Sequence, residues 1–226
     1  SISFIYSIKT NAKKVKEGDL FITKNLDEIE LAIKNGAFAI ILEENYPIID
    51  NEIAWIKVKN IELSVIKLIR FKLAVKNLEV YYCEKATYDL LKIYSNNFEQ
   101  NIKLIPQKLE NLFKIIDDIE NNDILISSDK NKLDKIYPNC FNFDKTINLD
   151  EIDNLIEHSL FETSFSYKGN YFSRLKISSL YLKNFIRVFN LFNQDLDFTK
   201  LKSFYHLKPL FLDKSLNLVE FGKSDK

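Results

Sequence analysis

The stretch Ala32-Ile-Lys-Asn-Gly-Ala-Phe-Ala-Ile-Ile-Leu-Glu43 fixes the reading of the first third of the chain. Leu26, Ile29, Ala32 and Ile33 share one face at helical spacing, and Asn35-Gly36 ends that helix with a residue type suited to the left-handed turn after a helix. Ala37 to Leu42 is then an unbroken apolar run of strand length.

Working backward, Gly18 to Thr23 reads as a turn into a short strand. Working forward, Pro47 lies in a turn before a second strand, Ile53 to Val58, and Val65, Leu68, Ile69 and Leu73 mark a further amphipathic helix. Residues 1–76 make one αβ unit on this reading, and residues 77–226 a second. The second begins with a strand at Leu78 to Tyr82, a helix at Thr87 to Tyr94 and a strand at Ile102 to Ile105. A helix carrying Leu109, Leu112, Phe113 and Ile116 follows, then a strand from Asp123 to Ser127. Strands separated by helices predict parallel pairing through crossovers. Next, Phe161, Thr163, Phe165 and Tyr167 alternate up to Lys168-Gly169-Asn170, and Tyr171 to Ile177 alternates again, which predicts a β-hairpin. Ser178 or Ser179 caps a helix bearing Leu182, Phe185, Ile186 and Phe189, and a shorter helix from Asp197 leads to a strand at Leu216 to Phe221. The fold class is therefore α/β, with a β-hairpin in the second part.

Composition narrows the function classes. Thirty-two basic residues balance thirty-two acidic ones, and the signs alternate, so no broad field draws the chain to nucleic acid. No apolar run approaches the roughly 20 residues a bilayer demands, and no secretory signal opens the sequence, so membrane insertion is not expected and the cytoplasm is the expected address. Cys83 and Cys140 lack metal or disulfide spacing and read as small core residues. His158 and His206 have no second ligand at metal spacing and read as hydrogen-bonded structural residues; Asp117, Asp118 and Glu120 read as a solvated face. Tyr81, Tyr82 and Phe211 are either a docking surface or core. Four glycines, against roughly 16 at average usage, leave little scope for a phosphate-cradling loop. Gly222-Lys-Ser224 has the tail of such a motif without its earlier glycine.

The segment Lys9-Thr-Asn-Ala-Lys-Lys-Val-Lys-Glu-Gly-Asp-Leu-Phe-Ile22, followed by the Ala32–Glu43 stretch, resembles the opening of the Mur ligases MurE and MurF, with Val15, Gly18, Asp19, Leu20 and Phe21 matching. The resemblance implies a Mur-ligase N-terminal-like domain followed by a reduced central-like domain. It also implies a place in peptidoglycan precursor synthesis. The family's D-S-R, in a segment that in part contacts a uridine nucleotide, is replaced here by Asn11, Ala12 and Lys13; Thr10, Asn11 and Lys13 either offer hydroxyl, amide and ammonium groups to a nucleotide or diphosphate or form an ordinary solvated turn. The family's next nucleotide-contacting loop is shortened here to Lys24 and Asn25.

Where the family runs a strand into G-x-x-G-K-[ST], this chain reads Leu78-Glu-Val-Tyr-Tyr-Cys-Glu-Lys-Ala-Thr87, which keeps Lys85 and Thr87 but sets Glu84 where phosphates would sit. Asp123-Ile-Leu-Ile-Ser-Ser-Asp129 resembles a later family strand, and its Asp129 is either a remnant or a turn residue. Asn184 keeps the last position of a G-x-H-N-x-x-N helix, Asp195 to Phe204 resembles a later helix, and Lys208-Pro209 stands near its P-G-R turn without the arginine. The expectation is a pseudoenzyme with no catalytic residue, metal or cofactor, binding a UDP-muramoyl peptide or a cell-wall synthesis protein. The alternatives are a structural module of cell-wall or cell-shape assembly and a fragment of an active ATP-dependent ligase.

Overall fold

A computed structural model describes residues 4–98, 101–107, 111, 115–143, 151–193, 195–207 and 210–220. The predicted helix positions Leu109, Leu112 and Phe113, together with Lys208-Pro209, Phe221 and Gly222-Lys-Ser224, lie outside these residues, as does the side chain of Asp117. The chain forms two compact units: residues 1–82 with 100–142, and residues 83–99 with 143–226. Compactness thus groups residues differently from the restart of the αβ rhythm at residue 77.

The first unit holds two parallel four-stranded sheets. In one, β1 (Ile8–Lys9), β2 (Leu20–Ile22), β3 (Ala39–Leu42) and β4 (Ala54–Lys57) lie side by side in sequence order, with α1 (Ile29–Lys34) crossing between β2 and β3. Strand alternation sends Phe21, Ile40 and Leu42 to one core with Ile29 and Ala32 of α1, while Leu20, Ile22, Ala39 and Ile41 face a second core. That explains the unbroken apolar run: β3 is buried on both faces.

Helix α2 (Ile61–Ala74), capped by the Asn60 side chain on Leu63 N, buries Val65, Ile66, Ile69 and Leu73 in the second core. The other sheet runs in the order β6 (Ile102–Leu104), β7 (Ile124–Ser127), β5 (Glu79–Tyr82) and β8 (Phe141–Asn142), all parallel. Val80 of β5 and Leu125 of β7 fill the same core. Parallel pairing, as expected, holds throughout this unit.

Helix α4 (Lys130–Ile136) was not expected from the sequence. Asp129 is its N-cap, accepting from Lys132 N at 3.0 Å, so the aspartate at the strand end starts a helix. Cys140 is half-buried at the edge of this core and Cys83 is buried; neither is in a disulfide.

The second unit begins with α3 (Lys85–Ile93) and contains a three-stranded antiparallel sheet in the order β11 (Asn170–Leu175), β10 (Glu162–Tyr167) and β9 (Ile152–Ser159). The hairpin β10–β11 turns at Lys168-Gly169 in the predicted place, with Gly169 at φ +78°. Its inner face carries Phe165 and Phe172, whose rings pack against Phe185 and Phe189 of α5 (Leu182–Leu191) and against Phe198. Phe165, Phe172, Phe185 and Phe189 are all buried here. Ser178 starts α5 through a short 3₁₀ turn, its hydroxyl accepting from Leu180 N at 3.3 Å. The expected helix at Asp197 is a 3₁₀ helix, Phe198–Ser203, and the terminal strand pairs Leu218–Val219 (β13) with Phe211–Leu212 (β12).

Candidate functional site

Two glycines shape the first candidate region. Gly18 (φ +87°) donates its N–H to the Gly36 carbonyl at 3.0 Å, and a Cβ on Gly36 (φ +93°) would lie 2.8 Å from the Glu17 Cα. Only glycine lets these turns cross so closely. Asp19 is buried and closes the same turn, its carboxylate accepting from Lys16 N at 2.9 Å. Val15, Gly18, Asp19, Leu20 and Phe21 thus all have packing or turn duties.

Between β1 and β2 this turn frames an open groove of about 970 Å³, lined by Thr10, Asn11 and Lys13 together with Lys9, Lys14 and Lys16 and with the acidic Glu17 and Asp19. The three expected binding residues therefore share one wall. Asn11 is partly committed: its Oδ1 caps the 3₁₀ turn Ala12–Lys14 by accepting from Lys13 N at 2.9 Å. Lys9 Nζ donates to Ser7 Oγ at 2.6 Å. The three further lysines carried no motif, so the sequence reading missed them; their spacing along Lys9-to-Lys16 was the available signal. Lys24 pairs with Glu43 at 3.5 Å, and the Ile61 backbone N–H, followed by that ammonium, holds the Glu43 carboxyl below its ordinary range. Asn25 caps the turn that leads into α1.

The second candidate region starts where β5 gives way to α3. Only Cys83 and Glu84 separate the strand from the helix, and neither is glycine. Glu84 is the N-cap residue. Its Oε2 accepts from Asn184 Nδ2 at 2.9 Å, and the same amide donates to Thr87 Oγ1 at 2.9 Å. Thr87 and Asn184 are both buried. The structure therefore brings Asn184, which the sequence marks on its own, to Glu84 and Thr87, which it marks together.

Lys85 is drawn elsewhere, to Asp89 one turn along at 2.5 Å, and lies over the Tyr88 ring. Asp89 also binds His206 Nε2 at 2.8 Å, and His158 Nε2 lies 2.7 Å from Ser164 Oγ, so both histidines have protein partners. No group of three or more His, Cys, Asp or Glu among the described residues is arranged to hold a metal ion, and no helix among them is long and apolar enough to cross a membrane.

Parallel sheets joined by helical crossovers, followed by an antiparallel hairpin packed on a helix, define a mixed α/β fold of the Mur-ligase type. The solved structures it is similar to include MurF from Thermotoga maritima in complex with ADP, with a TM-score of 0.53 and 17% identity over 91% of this chain. MurF from Acinetobacter baumannii matches with a TM-score of 0.51 and 12% identity over 95% of the chain. The UDP-N-acetylmuramoylalanyl-D-glutamyl-2,6-diaminopimelate–D-alanyl-D-alanyl ligase of that organism matches with 0.52 and 11% over 97%. This chain spans 66% of each of those three chains, just under two thirds. At such identities the likeness is one of fold. No family model matches the sequence, and no curated protein does.

Proposed function

We propose that this chain is a Mur-ligase-like pseudoenzyme of peptidoglycan precursor synthesis that binds a UDP-muramoyl-type precursor, or a protein of that pathway, without ATP-dependent ligation. The observation that carries the reading is the two-residue link from β5 to α3, with the Glu84 carboxylate held by Asn184 beside Thr87. A triphosphate cradle needs successive backbone N–H groups facing the phosphates, and two non-glycine residues offer too little chain for that. A carboxylate about 4 Å from a phosphate charge adds a repulsion on the order of 4 kcal/mol at an effective dielectric near 20. Lys85, the residue that would reach the phosphates, is paired with Asp89.

The precursor end of the reading rests on the lysine-lined groove that contains Thr10, Asn11 and Lys13. Its test is a titration with UDP-muramoyl tripeptide followed by calorimetry. Saturable binding that Lys13→Glu weakens about tenfold or more, roughly 1.4 kcal/mol, is expected. Absence of binding, or binding indifferent to Lys13→Glu, removes the precursor from the proposal. The capping duty of Asn11 and the Lys24–Glu43 pair favour a second reading, a structural module of cell-wall or cell-shape assembly whose former ligand groups now serve the fold. Failure of both precursor and nucleotide to bind would select it.

A further inference from the structure

In the second unit, the hairpin and the 3₁₀ helix Phe198–Ser203 enclose a cavity of about 450 Å³ that belongs to neither candidate region above. Phe161, Ile177, Leu201, Phe204 and Leu207 give it apolar walls, and Tyr181 and Tyr205 complete them. The frame is held in place: Thr163 Oγ1 donates to the Ile177 carbonyl at 3.1 Å, and the Tyr181 and Phe204 rings meet edge to face at 5.3 Å. Two lysines, Lys176 and Lys202, belong to the lining and no acidic residue does. The Lys176 ammonium is paired with Glu162 at 3.1 Å, which also binds Arg174, whereas Lys202 stands in no ion pair among the described residues and acts on the Asp197 carboxylate only through space.

A pocket of this size with apolar walls and a few placed polar groups is the usual form of a small-molecule site. Its charge selects among apolar ligands. We propose that this cavity binds a small amphipathic anion, an acyl or aryl body lying against Ile177, Leu201 and Phe204 with its carboxylate at Lys202. The site is independent of the precursor groove and of the nucleotide question.

The test uses decanoate as probe and backbone amide chemical shifts of the full chain as readout. Saturable shifts centred on Ile177, Ser178, Tyr181 and Leu201 are expected, with decylamine at least about tenfold weaker and Lys202→Gln weakening decanoate by about tenfold. Lys200→Gln, on the same turn but outside the lining, leaves the affinity unchanged. Phe161→Ser, at the exposed end of the hairpin, provides a second variant if Lys202→Gln perturbs the fold. Shifts without saturation, shifts centred on the lysine groove of the first unit, or equal binding of decylamine would overturn the proposal.

Discussion

The carboxamide of Asn184 donates to two acceptors on the first turn of α3, Glu84 Oε2 and Thr87 Oγ1, from a buried position on α5. At about 0.5–1.5 kcal/mol net for each hydrogen bond, the two bonds of this amide together contribute about 1–3 kcal/mol. Asn184→Ala should therefore lower stability by about that amount, read as a drop in the urea midpoint at constant slope. Asn184→Asp should be worse, because it sets a second carboxylate against Glu84. A midpoint unchanged in both variants would mean that the contact carries no weight. These residues also mark the limit of the sequence reading at this scale. Glu84 and Thr87 are legible together and Asn184 by itself, yet their association is not, because Asn184 lies 100 residues from Glu84 and only tertiary packing joins them.

Among the elements, α3 carries the clearest dependence on pH. Burial raises the phenol of Tyr88 to about 12 and raises that of Tyr94 further, with the Tyr94 hydroxyl donating to the Asp197 carbonyl at 3.2 Å. A folded pKa above the unfolded value near 10 means that the folded state favours the neutral phenol. That contribution is fully present below about pH 10 and is lost as pH rises through the folded values. In an alkaline absorbance titration at the phenolate band, the late portion of the rise should coincide with loss of ellipticity and should shrink in Tyr88→Phe and Tyr94→Phe. Reversible ionisation of every tyrosine near the ordinary value, with ellipticity intact, would contradict the packing described.

Elements buried on a defined face were the ones the sequence revealed, such as β3, α2 and the β10–β11 hairpin. Strand β9 has almost every residue exposed at the edge of its sheet, so no alternation marked it, and β1 and β8 are two residues each. Helix α4 is hard to see because an aspartate at a strand end suits a turn as well as a helix cap, and only Leu133 and Ile136 give the helical spacing behind Asp129.

For the whole molecule, the fold is like that of the Mur ligases. The residues that carried the family resemblance, Val15, Gly18, Asp19, Leu20 and Phe21, are core and turn residues, which is why they located the architecture and say little about chemistry. The chemistry turns on how much backbone is free to meet phosphates after β5. A calorimetric titration of the full chain with Mg·ATP is the most direct measurement. No saturable heat is expected at concentrations up to about 1 mM, a limit near −4 kcal/mol of binding free energy. Saturable micromolar binding that disappears in Lys85→Ala would contradict it.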